Sequence, residues 1–168
     1  MIAPAHTANI RTESRAASDC PNPEPANSSP LKPLVLLAED EPIVLEYLAS
    51  VLQEQGYRVV KAGDGEEALG IFKELPGMTI DLLLTDIIMP RMNGKELAYR
   101  IGLLAPETKV LFCSAYPEEL VSRHGMIESR FPFLQKPVTP ELLATKVRAV
   151  LDEPEEALPD DSSLDEEF

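Results

Sequence analysis

Residues 81 to 94 join a short apolar run to a carboxylate and a turn: Asp81-Leu82-Leu83-Leu84-Thr85-Asp86-Ile87-Ile88-Met89-Pro90-Arg91-Met92-Asn93-Gly94. Four to eight apolar residues bounded by turn formers are typical of a strand buried in a parallel sheet. The carboxyl ends of such strands form the edge at which ligands bind. Asp86 stands where this strand would end, so the stretch predicts a functional carboxylate at that edge.

Further short segments rich in apolar residues occur on both sides of this stretch. They predict further strands at residues 34–38, 57–61, 109–113 and 131–134. Amphipathic patterns predict helices at about 42–56, 64–75, 94–104, 117–124 and 139–151. Strands that alternate with helices in this way indicate an α/β fold, with a five-stranded parallel sheet and helices on both faces.

The sequence predicts how the second helix is capped and which face of the third helix is buried. Asp64 and Glu67 have the spacing of a capping box, in which the Glu67 side chain reaches back to the start of the helix. In the third helix Leu97, Ile101 and Leu104 share one face. We therefore expect all three to be buried.

Composition divides the 168-residue chain into three parts. Residues 1–33 are rich in Ala, Ser, Asn and Pro and are predicted to form a disordered leader, whereas residues 34–151 form the folded domain. Residues 152–168 hold nine of the fourteen net negative charges and no basic residue, which predicts a disordered acidic tail. No basic patch is visible, so direct binding to nucleic acid is not expected.

The chain is expected to be cytoplasmic. No apolar stretch approaches the ~20 residues that cross a membrane, and the amino end lacks the apolar core of a signal peptide. Cys113 lies in an apolar run and is predicted to be a buried free thiol, while Cys20 lies in a polar segment. Neither cysteine suggests a disulfide, which fits a reducing compartment.

Five polar side chains are predicted to meet at the carboxyl edge of the sheet: Glu39, Asp40, Asp86, Ser114 and Lys136. Three carboxylates in one crevice repel each other, and a divalent cation would remove the conflict. Oxygen ligands suit Mg²⁺ (or Mn²⁺). A carboxylate nucleophile, a hard cation, an ammonium group and a hydroxyl together predict phosphoryl transfer onto Asp86.

Four motifs resemble the receiver domain of two-component response regulators: Leu37-Ala38-Glu39-Asp40-Glu41-Pro42, Thr85-Asp86-Ile87-Ile88-Met89-Pro90 with Asn93-Gly94, Phe112-Cys113-Ser114-Ala115, and Phe133-Leu134-Gln135-Lys136-Pro137. The resemblance covers residues 34 to 151 and implies a flavodoxin-like sheet with strand order 2-1-3-4-5. The sequence around Asp86 looks like that of receivers attached to hybrid histidine kinases, although neither a kinase nor an output domain is expected here.

The resemblance implies a phosphorylation switch that is not an enzyme. Asp86 would be the phosphoacceptor and Lys136 the lysine that contacts the phosphoryl group, with Ser114 as switch hydroxyl and Phe133 as switch aromatic. A histidine kinase or phosphotransfer protein would supply the phosphoryl group. A downstream protein or a second copy of the chain would read it through helix four, strand five and helix five; no membrane partner is expected.

The resemblance also implies the surroundings of the phosphoryl group. The metal would be held by Asp40, Asp86 and the backbone carbonyl of Ile88, with Glu39 acting through a water molecule. Ile88 and Tyr116 would line the approach of the water that hydrolyses the phosphorylated aspartate. A cis peptide bond between residues 136 and 137 is implied as well.

Two other functions fit part of the pattern. A phosphohydrolase of the haloacid-dehalogenase type shares the chemistry of a phosphorylated aspartate. That class carries a second aspartate two residues after its nucleophile, where this chain has Ile88. A receiver-like adaptor that is never phosphorylated is the other alternative, and it would have no need of Asp86, Lys136 and the acidic pair.

Overall fold

The computed structural model describes residues 32–75, 77–123 and 131–153, which form five strands and five helices. The strands are β1 (Leu34–Ala38), β2 (Arg58–Ala62), β3 (Leu82–Asp86), β4 (Lys109–Ser114) and β5 (Phe133–Gln135). The helices are α1 (Pro42–Glu54), α2 (Gly65–Glu74), α3 (Gly94–Leu104), α4 (Glu118–Arg123) and α5 (Pro140–Asp152). The predicted leader and acidic tail lie outside the described residues, apart from residues 32, 33, 152 and 153.

The five strands form one parallel sheet in the order β2-β1-β3-β4-β5, which confirms the predicted fold. All residues of the central strands β1 and β3 are buried. The register pairs Ala38 with Thr85 and Asp86 with Cys113, so these strands end nearly level with one another. The residues that follow them therefore meet at a single edge.

Helices cover both faces of the sheet, and alternate residues of β1 pack against the helices on opposite faces. Val35 and Leu37 belong to the apolar cluster that includes α1 and α5, whereas Leu34 and Leu36 belong to the cluster with α2 and α3. Because side chains alternate across a strand, a strand covered on both faces is mainly apolar, as β1 is at all five positions. No helix among the described residues is both long enough and apolar enough to cross a membrane.

Three local expectations differ from the structure. Leu104 is 56% exposed because it is the last residue of α3 and the chain leaves the helical conformation directly after it. β5 begins at residue 133, since Pro132 has no N–H to donate to a neighbouring strand, and Phe131 instead packs edge-on against an aromatic ring of β4. The Glu67 carboxylate accepts from the Gly63 N–H, one residue further back than in a standard capping box.

Gly94 starts α3 directly against the end of β3. A Cβ at this position would overlap the backbone carbonyl oxygen of Asp86 and lie 3.0 Å from Thr85 Oγ1. The Gly94 N–H donates to the carbonyl oxygen of Ile87 at 2.9 Å, and the Asn93 side chain caps the helix. Only glycine permits this close approach, which places the start of α3 beside Asp86.

We expect Gly94→Ala to lower the free energy of unfolding by about 1–3 kcal/mol, the usual cost of adding a methyl group to a packed site. Gly70→Ala is the matched control, because a Cβ there meets no atom within 4 Å and the residue lies inside α2. That control should stabilise the protein by about 0.5–1 kcal/mol. Urea unfolding compares the two variants, and wild-type stability in Gly94→Ala would contradict the packing argument.

Candidate functional site

Lys136 lies between two buried carboxylates at the carboxyl edge of the sheet. Its Nζ is 2.5 Å from Asp86 Oδ2, and 2.9 Å and 2.7 Å from Oε1 and Oε2 of Glu39. Glu39 is 1% exposed and Asp86 is 8% exposed. Because the ion pairs are largely shielded from water, their Coulomb attraction is stronger than that of a surface pair.

Burial and mutual contacts shift the pKa values of Glu39 and Lys136. Burial raises the pKa of Glu39 above its ordinary value, although the hydrogen bond and the charge of Lys136 oppose the shift. Burial also lowers the pKa of Lys136, but its hydrogen bonds to Asp86 and Glu39 outweigh this effect and raise the pKa overall. The ammonium group therefore stays protonated at neutral pH.

Glu39, Asp40 and Asp86 each place a carboxylate oxygen within 4.8 Å of the other two. Asp40 is exposed, so it forms the solvent side of the group. Oε2 of Glu39 lies in ion-pair contact with Lys136 but has no hydrogen bond. Three carboxylates beside one ammonium group offer oxygen ligands and an excess of negative charge, which fit a hard divalent cation such as Mg²⁺ or Mn²⁺.

Both oxygens of the Asp86 carboxylate have partners. Oδ1 accepts from the backbone N–H of Ile88 at 2.9 Å, and Oδ2 contacts Lys136. The buried hydroxyl of Thr85 donates to the Asp86 backbone carbonyl at 2.9 Å. The orientation of the carboxylate is thus determined by the strand end and the first turn of the following loop. The role of Thr85 was not foreseen, since a lone threonine in an apolar strand gives no signal of it.

The loop that presents Lys136 is attached to β4 and to α1. The Lys136 N–H donates to the Ser114 carbonyl oxygen at 2.8 Å, and the Lys136–Pro137 peptide bond is cis, as the resemblance implies. The hydroxyl of Tyr47 donates to the carbonyl oxygen of Val138 at 3.0 Å. These hydrogen bonds restrict the position of the loop and therefore of the Lys136 ammonium group. Tyr47 was also missed from the sequence, because its partner is 91 residues away.

Ser114 ends β4 one residue after Cys113, the register partner of Asp86. The serine is 1% exposed, and its Oγ accepts from the backbone N–H of Tyr116 at 3.2 Å. The side chain of Tyr116 itself is about half exposed. Burial raises the pKa of the Cys113 thiol to about 12, so this free cysteine stays protonated, as the predicted buried thiol should.

Phe133 lies at the start of β5 and is 7% exposed. It packs in a small apolar cluster with Ile87, Phe112 and Val121. Ile87 directly follows Asp86, and Val121 belongs to α4. Phe133 therefore connects the neighbourhood of the carboxylate to α4.

Residues 35–148 match the family model of the response regulator receiver domain. The chain belongs to this family. It is 38% identical over 118 residues to the sensor kinase CckA of Brucella abortus (strain 2308), a match that spans 70% of this chain and 12% of the kinase. The chain thus corresponds to a small part of that relative. As a receiver, it is a component of two-component signal transduction.

Solved receiver structures agree with this assignment. The receiver domain of the hybrid histidine kinase CckA is 37% identical, with a TM-score of 0.59, over 70% of this chain and 98% of that one. The response regulator TrrA of Thermotoga maritima, solved in complex with Mg²⁺-BeF, is 30% identical with a TM-score of 0.61, over 70% of this chain and 98% of that one.

The raised pKa of Glu39 should make the cation-free receiver less stable as the pH rises. In the unfolded chain this carboxyl group titrates near its ordinary pKa of 4.5, so the folded state binds the proton more tightly. The penalty for ionisation is absent below the unfolded pKa and complete above the folded one. Glu39→Gln removes the penalty and keeps an oxygen that can accept from Lys136.

We therefore expect Glu39→Gln to be more stable than the wild type near pH 7 in the presence of a chelator. The difference should shrink as the pH falls through 4.5 and disappear near pH 3, where the wild-type carboxyl group is protonated in both states. Urea unfolding across this range measures the effect. Glu46→Gln, at a surface position, serves as the control and should change stability little. A Glu39→Gln variant that is less stable at neutral pH would refute the argument.

Proposed function

We propose that Asp86 accepts a phosphoryl group from a histidine kinase or phosphotransfer protein, in a reaction that requires Mg²⁺ or Mn²⁺. The observation that carries this proposal is the Lys136 ammonium group, 2.5 Å from one oxygen of Asp86 and beside two further carboxylates. A relative named as a sensor kinase and a structural neighbour solved with Mg²⁺-BeF support the same chemistry.

In the proposed reaction an oxygen of Asp86 attacks the phosphorus of a phosphohistidine. The new P–O bond forms as the P–N bond breaks, and the electrons of that bond go to the imidazole nitrogen of the donor, which takes up a proton. Lys136 then pairs with one phosphoryl oxygen, and the Ser114 hydroxyl donates to another. A divalent cation would be held by Asp40, Asp86 and the backbone carbonyl of Ile88, with Glu39 acting through a water molecule, and it would neutralise further negative charge.

The receiver incubated with acetyl phosphate and Mg²⁺ should gain one phosphoryl group, and Asp86→Asn should gain none, because an amide is not a comparable nucleophile. Intact-mass spectrometry counts the groups, and a chelator should prevent labelling of the wild type. Asp152→Asn changes an exposed acid at the end of α5 and is expected to be labelled like the wild type. Labelling of Asp86→Asn would disprove the assignment.

We also propose that a downstream protein, or a second copy of the receiver, reads phosphorylation on the face formed by α4, β5 and α5. Ser114 is bonded through its backbone to Lys136, which follows β5. Phe133 of β5 and Val121 of α4 belong to the same apolar cluster. A displacement of Ser114 or Lys136 toward a phosphoryl oxygen would therefore reach this face through the bond between them and the shared apolar cluster.

Beryllofluoride, which is present on the neighbour TrrA, can serve as a mimic of the phosphoryl group. With it and Mg²⁺, hydrogen exchange should change most in α4 and β5, because these elements contact the residues expected to move. Asp86→Asn should show no such change and acts as the control. Exchange differences confined to α1 and α2 would exclude this output face.

Ile88 and Tyr116 are proposed to prolong the phosphorylated state. Their backbone N–H groups bond to Asp86 Oδ1 and Ser114 Oγ, so both residues lie next to the proposed phosphoryl position. An aliphatic side chain cannot orient a water molecule for in-line attack, and an aromatic ring obstructs its path. A long-lived phosphoaspartate suits sustained signalling.

Ile88→Asn and Tyr116→Glu should each lose the phosphoryl group faster, by about tenfold, because the new side chains can hold the attacking water. Tyr116→Phe keeps the ring and is expected to behave like the wild type. Mass spectrometry after removal of the phosphodonor gives the rates. The shielding argument is wrong if both polar variants dephosphorylate at the wild-type rate or more slowly.

We propose that the receiver acts as a cytoplasmic switch and not as a turnover enzyme. Ile88 offers no carboxyl group at the position where a hydrolase of the haloacid-dehalogenase type carries its second aspartate. The intact group around Lys136 favours phosphorylation over a role as an unmodified adaptor. The free thiol of Cys113 accords with a reducing compartment. Repeated hydrolysis of p-nitrophenyl phosphate would exclude the switch proposal.

A further inference from the structure

An ion pair attaches the loop between β3 and α3 to the start of α2. The guanidinium group of Arg91 pairs with the Asp64 carboxylate, and Arg91 Nε lies 3.9 Å from Glu66 Oε2. The side chain of Arg91 is 60% exposed, whereas that of Asp64 is 1% exposed. The contact thus joins a surface arginine to a buried carboxylate, and the proposed phosphoryl transfer does not involve it directly.

Asp64 needs a cation in this position. As the N-cap of α2, it accepts from the Glu67 N–H with Oδ1 at 2.9 Å. Oδ2 is buried and has no hydrogen bond in addition to the ion pair. A buried carboxylate without a nearby opposite charge is strongly unfavourable. Arg91 therefore compensates the charge of a residue that α2 requires for its cap.

The backbone of Arg91 indicates that the loop is held in place. Its φ of 65° lies in the left-handed region, and among the described residues it is the one non-glycine residue there. Side chains rarely adopt this conformation, and it persists only when surrounding contacts maintain it. A Cβ on Gly65 would lie 2.5 Å from the carbonyl oxygen of Met92. The start of α2 thus contacts the loop at two successive residues.

The same loop carries a backbone group assigned to the cation. Ile88 lies three residues before Arg91, and its N–H donates to Asp86 Oδ1. At the far end of the loop the Gly94 N–H donates to the carbonyl oxygen of Ile87. A backbone-to-side-chain hydrogen bond thus holds one end of the loop, a backbone hydrogen bond holds the other, and the pair of Arg91 with Asp64 holds its middle.

We propose that Arg91 is a positioning residue for divalent cation binding. Its ion pair with Asp64 holds residues 87–93 against α2 and so keeps the backbone of Ile88 in the place where its carbonyl completes the ligand set. The inference rests on the proposed function, since it assumes that the carboxylates around Asp86 bind the cation. Without the pair the loop moves more freely, and part of the binding free energy is lost in ordering it.

The test is the affinity of the full chain for Mn²⁺, measured by electron paramagnetic resonance of the free ion, with no phosphodonor present. Arg91→Gly removes the guanidinium group but accepts a φ of 65°, so a purely backbone role predicts no loss. Asp64→Asn removes the charge and keeps an oxygen for the helix cap. We expect each variant to bind Mn²⁺ about tenfold more weakly, as is common when a residue that orients a metal ligand is lost.

The double variant should bind no more weakly than either single variant, because both substitutions break the same pair. Arg100→Ala removes an exposed ion pair with Glu96 on α3 and is the matched control, with wild-type affinity expected. Thermal unfolding without cation establishes whether each variant is folded. If Arg91→Gly does not fold, the Mn²⁺ affinity of Asp64→Asn alone tests the proposal. Wild-type affinity in the folded variants overturns this inference alone, whereas a wild-type protein that binds no Mn²⁺ overturns the proposed function.

Discussion

The ammonium group of Lys136, shared by Glu39 and Asp86, is the interaction on which the arrangement of this receiver depends. Two carboxylates cannot be buried at one sheet edge unless a positive charge lies close by. That charge comes from the segment after β5, 97 residues from Glu39 and 50 residues from Asp86. The charges at the site are therefore balanced only when β5 takes its place in the sheet and brings Lys136 to the two carboxylates.

This arrangement is well suited to a switch because the negative charges of the carboxylates are only partly neutralised by Lys136. One ammonium group faces three carboxylates, so the edge retains negative charge that a cation can neutralise. Lys136 is bonded to Oδ2 of Asp86, so it lies beside the carboxylate that is proposed to accept the phosphoryl group. A change at Asp86 must then alter the partners of Lys136, and with them the loop after β5. Burial of Glu39, which raises its pKa, makes its ionised form an unfavourable contribution to stability at this same edge.

The fold and most of the site could be predicted because their signals are local. The central strands β1 and β3 contain continuous apolar runs, and Glu39, Asp40 and Asp86 mark where these strands end, so a parallel sheet brings them together. Contacts between loops could not be predicted in this way. The bond from Tyr47 to Val138 and the pair of Arg91 with Asp64 depend on the distances between separate loops, which no periodic pattern encodes.

The two sets of ion pairs differ in how strongly water and salt act on them. The side chain of Lys136 is 17% exposed, so the pairs at the sheet edge are shielded and respond weakly to ionic strength. The side chain of Arg91 is 60% exposed, so salt screens its attachment to α2 more effectively. Close packing of Gly94 against Asp86 involves no charge and is indifferent to salt. The packing at the end of β3 therefore does not depend on salt, whereas salt weakens the ion pair that attaches the middle of the following loop to α2.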